Sequence, residues 1–574
     1  MSAAFADRRR PAPRRVADAL AEELVRLGVT HLFGHPGGAA LPLYDALSTT
    51  PGLTHVLMRH EQGAAHAAEG YARATGRVGV CLATSGPGAT NLITGLADAY
   101  MDSTPIVAIT AQVATHLIGR DGFQEADVLG LTQPVTKHNW IVKEPRDVVP
   151  TIRRAFALAR SGRPGPVLVD IPRDTLQAPA LPSDDPREPS PRPPRPAPGE
   201  LRRAADAISR SRRPVLYAGG GVIASDASEE LRCLAHETRI PVTTTLMAKG
   251  VYPETDPLSL GMLGMHGTAY ANHAMNESDL IVAVGARFDD RITGKLSAFA
   301  PHARVIHVDV DEAEIHKNRR ADFPLLGDAA DVLRDLIPLV TPPDVGAWLR
   351  TIAEWKARWP LRFRVSETIL PQLAIDRLWR ITRGLRPVLT TDVGQHQMWA
   401  AQLFLCDEPR SFITSGGLGT MGYGLPAALG AQCGLPGRLV VNLNGDGSFQ
   451  QTMQTLISAA EARLPIKVVV LDNGGLGMVR QWQELFYEER FFSVELKNPD
   501  FARVAEALGA VGLSARRPDE LDDVYRRALE VKDRPVVVDV HCDPRENCYP
   551  MWPAGQAIDS LVAADPRHAK GEPS

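Results

Sequence analysis

The sequence predicts an α/β protein of three doubly wound parallel-sheet domains, and two kinds of observation carry the prediction. Short β-branched runs alternate with helical patterns along most of the chain, and the runs are apolar at consecutive positions rather than at every second one. Strands of that kind are buried on both faces, as in parallel sheets covered by helices. Pro-rich stretches then cut the chain into three such blocks.

The first block is residues 14–181. The leading "MSAAFADRRRPAPRR" is basic and Pro-interrupted and lacks the apolar core of a secretory signal, so it is read as a disordered tail. Inside the block, "VGVCLAT" (78–84) and "PIVAITA" (105–111) are strands flanking a helix over 90–103. "PSDDPREPSPRPPRPAPGE" has no apolar face and reads as a semi-rigid linker over 182–199. The second block, 200–340, holds the strands "PVLYAGGG" (214–221), "DLIVAVG" (279–285) and "RVIHVDV" (304–310). A weaker break at "VTPPDV" (340–345) opens a connector, 341–370, whose Trp-containing part is expected to form a helix leading into the third block. That block, 371–555, holds "RLVVNLN" (438–444) and "IKVVVLD" (466–472), and 556–574 is read as a frayed tail. Blocks one and three share a plan of strand, Gly-bearing turn, helix, Pro, strand, with nearly equal spacing from Gly86 to Pro105 and from Gly445 to Pro465.

Composition narrows the function. The 574 residues carry a formal net charge of −4, which gives no electrostatic case for nucleic acid or an anionic membrane. No run of about 18 apolar residues offers a membrane span. Six cysteines scattered through a long chain predict reduced thiols and a cytoplasmic setting. Cys542 and Cys548 lie close to His541, but no second ligand pair follows, so no metal is assigned to them.

The most informative stretch is "VNLNGDGSFQQTMQTLISAAEARLPIKVVVLDN" (441–473). An apolar strand runs into Gly-Asp-Gly, a helix with Phe449, Met453, Leu456, Ile457 and Ala460 on one face follows, and a second strand ends at Asp-Asn. This is a βαβ crossover, so both strand ends reach the carboxyl edge of one parallel sheet, where such folds bind ligands. Gly445 and Gly447 let the backbone approach a ligand, and the helix start favours phosphate. A carboxylate from Asp446 and an amide oxygen from Asn473 suit Mg²⁺. The plainer alternative is an Asp capping a helix. No Gly-Lys-Ser/Thr follows, so this is not a P-loop.

Gly-Asp-Gly, 24 residues, then Asp-Asn resembles the thiamine diphosphate fingerprint. "RHEQGAAHAAEGYARATG" (59–76), "SGPGATN" (85–91), "FQEAD" (123–127), "GRPGPVLVDIPRD" (162–174), "GQHQMWAAQ" (394–402), "GGLGTMGYGLPAALGA" (416–431) and "GMVRQWQELF" (477–486) resemble the acetohydroxyacid synthase (acetolactate synthase large subunit) family. "TTLMAKG" (244–250), "LGMLGMHGTAYAN" (260–272) and "GARFDDRITGK" (285–295) resemble its FAD-binding, biosynthetic branch, and the likeness spans about 14–555. It implies a pyrimidine-binding first domain, a central FAD-binding-like domain and a diphosphate-binding third domain.

The resemblance also implies roles. Glu61 would drive the cofactor's aminopyrimidine toward the tautomer that acts as base; an isolated Glu there would simply stabilise a helix start. Gln124 and the backbone of Gly38 would lie by the reacting carbonyl, with Pro87 and Asn91 against the cofactor. Asp446, Asn473 and the Gly475 carbonyl would hold Mg²⁺. Val393, Gly394, Gln395, His396, Gly447 and Ser448 would meet the diphosphate. Gly419, Met421, Leu476, Gly477 and Met478 would line the cofactor, with Met421 propping its bend; the plainer reading of Met421 is core packing. Arg291 would hold a second substrate's carboxylate, or else pair with Asp289 or Asp290. Trp482 and Met478 would shape that substrate's pocket.

FAD, implied as a structural cofactor, would be met by Arg163, Gly219, Gly220, Gly221, Thr245 and Leu246. Further contacts would come from Leu263, Gly264, Met265, His266, Gly285, Arg287, Asp289 and Arg291, and from Asp309, Val310, Gly327 and Asp328. The implied reaction decarboxylates pyruvate and joins the remaining two-carbon unit to pyruvate or 2-ketobutyrate, the first step of branched-chain amino acid synthesis. Each site would need two subunits, in a homodimer or dimer of dimers, and a small regulatory subunit stays open. The sequence departs from the family at His35 (usually Tyr), Asp472 (usually Asn), Gly474, Gly475, Arg173 and Trp552. The alternatives are a pyruvate oxidase-like or acyl-transferring relative, or a non-catalytic cofactor-binding paralogue.

Overall fold

A computed structural model of the chain describes residues 14–181, 193–364, 366–553 and 555–565. Most of the expected linker and much of both expected tails (1–13, 182–192, 566–574) lie outside the described residues. The described chain contains three six-stranded sheets, parallel in every pairing, with helices between successive strands.

The first sheet is β1 (His31–Gly34), β2 (Thr54–Leu57), β3 (Gly79–Ala83), β4 (Ile106–Gln112), β5 (His138–Ile141) and β6 (Val167–Pro172), in the order β2-β1-β3-β4-β6-β5. The middle sheet is β7 (Pro214–Ala218), β8 (Val242–Thr244), β9 (Ser259–Met262), β10 (Leu280–Val284), β11 (Arg304–Asp309) and β12 (Phe323–Leu326), in the order β12-β11-β10-β7-β8-β9. The third is β13 (Val388–Thr391), β14 (Phe412–Ile413), β15 (Val440–Gly445), β16 (Lys467–Asp472), β17 (Val511–Ala515) and β18 (Val536–His541), in the order β14-β13-β15-β16-β18-β17. Counted from their own first strands, the first and third sheets share one order, 2-1-3-4-6-5. The middle sheet runs 3-2-1-4-5-6, the order of dinucleotide-binding folds.

Burial explains the continuous apolar runs. In the middle sheet Leu216, Ala218, Val282, Val284, Ile306 and Val308 enter one core, while Val215, Tyr217, Ile281, Ala283 and Val305 enter the core on the opposite face. Both sets of a period-2 strand are thus covered, and each fully buried Val, Leu or Ile contributes about 1.5–3 kcal/mol. The chain forms two compact units, one carrying the first sheet and the other the middle and third sheets.

Three details differ from the sequence reading. The helix expected over 90–103 is two, Pro87–Asn91 and Ile93–Met101. The helix after Gly-Asp-Gly is also two, Asp446–Thr452 and Thr455–Glu461, and the break rotates the buried side to Phe449, Thr452, Thr455, Leu456, Ser458 and Ala459, leaving Met453 and Ile457 only partly covered. The Trp-containing helix, Gly346–Arg358, packs onto the middle sheet: Trp348 and Ile352 join its core, and the Trp348 indole donates to the Pro214 carbonyl (3.1 Å). No helix among the described residues is long and apolar enough to cross a membrane.

Candidate functional site

Nearly every residue singled out in the sequence stands just past the carboxyl end of a strand, which is where parallel sheets splay and open their crevices. In the first domain Gly38 follows β1, Glu61 follows β2, Pro87 and Asn91 follow β3, and Gln124 follows β4. Glu61 begins the helix Glu61–Thr75 and is buried, and its Oε2 accepts from the Asn91 amide at 3.0 Å. Glycine at 88 makes this possible: a Cβ there would sit 2.8 Å from Thr84 Cγ2 and 3.2 Å from Glu61 Oε1. Gly86 takes φ +58 with its Cα face against the Gln124 backbone, itself at φ +59. Burial and the Glu61 charge push the Tyr44 hydroxyl up. His35 binds the Met58 carbonyl through Nδ1 (2.8 Å).

In the third domain Val393 to His396 follow β13, Gly419 and Met421 follow β14, Asp446 to Ser448 follow β15, and Asn473 to Met478 follow β16. The Asp446 carboxylate is the centre of this edge. Its Oδ1 accepts from the Gly447 N–H (2.8 Å), and its Oδ2 from the Gly475 N–H (3.0 Å) and the Asn498 amide (2.7 Å). Burial, and then the charge of Asp472, push Asp446 up to about 7 against these bonds. A Cβ on Gly447 would meet Leu476 at 2.6 Å and Met421 Cε at 3.8 Å, and one on Gly477 would collide with Gln395 Oε1 and meet Asn473 Nδ2 at 2.8 Å. The structure therefore gathers Gln395, Met421, Asp446, Gly447, Asn473, Gly475, Leu476 and Gly477. His396 packs beside Gly445; burial pushes its imidazole down to about 3, and its Nε2 has no partner. Ser448 turns inward, donating to Asn444 Oδ1 (2.7 Å).

The middle domain repeats the arrangement. Gly219–Gly221 follow β7, Thr245 and Leu246 follow β8, Leu263–His266 follow β9, Gly285–Arg291 follow β10, Asp309 ends β11 with Val310 after it, and Gly327 and Asp328 follow β12. β7 and β10 are paired neighbours, and the glycine turns that follow them meet: Gly221 N–H donates to the Gly285 carbonyl (3.1 Å), and a Cβ on Gly219 would collide with that carbonyl. His266 is buried, with Nδ1 3.2 Å from the Pro550 carbonyl and Nε2 unpartnered; burial pushes it down to about 4. Asp289 and Asp328 cap short helices, accepting from Arg291 N–H (3.0 Å) and Ala330 N–H (3.0 Å). Arg291 is largely exposed, with only a long 3.8 Å contact to Asp290. Trp482 stands partly exposed on the helix Gly477–Phe486. Arg163 belongs to the first domain and donates to Ser103 Oγ (2.8 Å).

Two side chains of the third edge escaped the sequence reading. Asn498 donates to both Asp446 Oδ2 and Asp472 Oδ1, each at 2.7 Å. Asp392 holds the turn before helix Gly424–Gly434 by accepting from Gly422 and Gly424 N–H, both at 2.8 Å. Asn498 lies in an irregular segment with no periodicity to flag it. Asp392 had a usable signal, an acid directly after an apolar strand.

Comparison with known proteins agrees with this division. The family described as thiamine pyrophosphate enzyme, N-terminal TPP binding domain, matches residues 14–131; the central domain matches 201–336; the C-terminal TPP binding domain matches 392–540. The chain is 50% identical to an acetolactate synthase of Mycobacterium bovis, over 96% of this chain and 91% of that one. It is 47% identical to the acetolactate synthase large subunit of Corynebacterium glutamicum (97% and 91%) and 44% identical to that of Haemophilus influenzae (96% and 98%). With three matched domains in order and identity of this extent, the chain belongs to the acetolactate synthase large-subunit family of thiamine pyrophosphate enzymes.

Proposed function

We propose that the chain is a thiamine diphosphate-dependent acetolactate synthase that decarboxylates pyruvate and joins the two-carbon unit to a second 2-ketoacid, pyruvate or 2-ketobutyrate. The observation that carries it is the Asp446 carboxylate on the third sheet's carboxyl edge, held between the Gly447 and Gly475 amides. The residues fit the cofactor: Gln395 Oε1 and His396 Nε2 are buried polar atoms without partners beside Asp446's turn, and glycine at 445 and 447 lets His396 and Leu476 close on that turn. Asp446, Asn473 and the Gly475 carbonyl would hold Mg²⁺, a hard ion suited to oxygen donors.

Thiamine diphosphate, when bound, supplies the carbon nucleophile that pyruvate alone lacks. Glu61 would meet the pyrimidine ring and drive it toward the tautomer that acts as base, and the Asn91 amide fixes the Glu61 carboxyl. Gln124 and the Gly38 N–H orient the substrate carbonyl. Arg291, whose ion-pair contact among the described residues is the long one to Asp290, offers its guanidinium to the second acid's carboxylate. Trp482 and Met478 bound the space for that acid.

The middle domain would hold FAD along its carboxyl edge, where strand order turns at β7 and β10 and where the buried His266 Nε2 and Tyr217 hydroxyl of the same domain have no partners. The overall reaction passes no electrons to an acceptor, so the flavin serves the fold. Glu61 and Asp446 are assigned to different subunits of a homodimer or dimer of dimers, and the relatives' designation as large subunits supports a smaller regulatory partner.

Incubating the purified chain with pyruvate, Mg²⁺ and thiamine diphosphate and identifying the product tests the reading. Acetolactate supports it. Acetaldehyde or acetyl phosphate reassigns the chain to the pyruvate oxidase-like or acyl-transferring relatives, and cofactor binding without turnover makes it a non-catalytic paralogue.

A further inference from the structure

We propose that Asp472, Asp539 and His541 form a binding site for a transition-metal dication such as Zn²⁺, separate from the Asp446–Asn473 site. The sequence of β18 reads Val-Val-Val-Asp-Val-His, and a period of two puts Asp539 and His541 on one face. The parallel register then sets Asp472, at the end of β16, directly beside His541. Three donors therefore share one face of two neighbouring strands at their carboxyl ends.

The distances separate a metal site from a hydrogen-bonded cluster. His541 Nδ1 stands 3.6 Å from Asp472 Oδ2, and Nε2 stands 3.6 Å from Asp539 Oδ2. Both are too long for hydrogen bonds. One zinc takes only one ring nitrogen; with Nε2 as that donor, its 3.6 Å separation from Asp539 Oδ2 is close to the edge of a tetrahedron of zinc ligands, about 3.4 Å for bonds of about 2.0–2.1 Å. One donor atom from each residue can be chosen so that all lie within 4.8 Å of one another.

Asp539 accepts one bond from the Phe501 backbone N–H, and donors remain beyond it. The Asp539 side chain is only 1% exposed, its Oδ1 has no hydrogen-bond partner, and the buried His541 Nε2 has none either. Asp472 spends Oδ1 on the Gly474 N–H (3.1 Å) and the Asn498 amide (2.7 Å), which leaves Oδ2 toward the imidazole. Two carboxylates brought this close, one of them fully buried, call for a compensating charge. Arg516 and Asp500 also face Asp539 and His541, with opposite signs. Cys542 does not join the cluster: it is buried and directs its thiol to the Val540 carbonyl. One imidazole with two carboxylates suits Zn²⁺ better than Mg²⁺, with water completing the shell.

This inference is independent of the thiamine reading, and its test separates the two. The full-length chain is stripped with EDTA and titrated with Zn²⁺ against a chelator of known affinity. We expect one Zn²⁺ per chain, affinity lowered about tenfold or more in His541→Val, and affinity unchanged in Asp446→Asn. X-ray absorption at the zinc edge should show one imidazole among oxygen donors; it needs no variant and stands even if the buried-site variant Asp539→Asn fails to fold. The proposal is overturned if the wild type binds no Zn²⁺, if His541→Val binds it equally well, if Asp446→Asn abolishes binding, or if the spectrum shows sulfur ligands.

Discussion

Replacing Asn498 by Leu removes the one amide that stands between Asp446 and Asp472. Its two bonds of 2.7 Å place the carboxylate oxygens at most about 5.4 Å apart. The comparison is made at pH 9, well above the value of about 7 to which burial pushes Asp446 against the Asn498 bond. Two unit charges at that separation repel by about 3 kcal/mol at an effective dielectric constant of about 20, in the wild type as in the variant. What the variant loses is the amide's bonds to charged groups, about 1.5–3 kcal/mol, or roughly a 10- to 150-fold rise in local opening, read as faster amide exchange. Hydrogen exchange with mass-spectrometric readout over residues 472–500 is the suitable assay, because it reports local opening in a chain of two compact units. The acceleration should be confined to that segment and should shrink when Mg²⁺ is added, because a cation bound by Asp446 takes over the screening. Unchanged exchange, or an acceleration indifferent to Mg²⁺, would refute the reasoning.

Four further outcomes follow from the same geometry. Glu61→Gln should lower kcat for acetolactate formation by about 10²–10⁴-fold while the protein still binds thiamine diphosphate; full activity would remove Glu61 from its assigned role. Gly219→Ala forces a Cβ into the Gly285 carbonyl and should yield protein purified without flavin absorbance, whereas a fully loaded variant would move FAD away from that crevice. Lys249→Met strands Glu254, since both side chains of this ion pair are buried, and should cost about 3–5 kcal/mol, with much of the loss recovered in the double variant carrying Glu254→Gln. Asp170 is buried, and burial pushes its carboxyl up to about 7 against bonds from Thr110 and Gln112, so the unfolded chain ionises it near 3.8 while the folded chain keeps the proton. Stability should therefore fall as pH rises from about 4 to about 7 and change no further from this group, and Asp170→Asn should flatten thermal-unfolding profiles across that window.

Much of this architecture can be read from the sequence because parallel strands announce themselves. "DLIVAVG" and "RVIHVDV" are apolar without alternation, and both faces of those strands are indeed covered. The residues of each sheet's carboxyl edge then follow by rule, as whatever comes next after each run: Gly285 after β10, Asp446 after β15. The equal Gly-to-Pro spacings around Gly86 and Gly445 reflect a shared strand order, which spacing alone could only hint at. The breaks at Leu92 and at Met453–Gln454 were hidden because apolar residues continue through them and no Gly or Pro marks them. Trp348 was assigned to a connector because its partner Pro214 is far away in the chain. Asn498 stayed invisible for the same reason: its two carboxylates are 52 and 26 residues distant, and nothing local marks an asparagine that serves them.

The common strand order of the first and third sheets lets their turns be set side by side. Where the third sheet's turn reads Gly445-Asp446-Gly447, the first reads Gly86-Pro87-Gly88; four residues past the second strand the first carries Glu61, and the third carries Gly417. Each layer carries an acid where the other has none, so under the proposed function a change at either acid silences the whole chain.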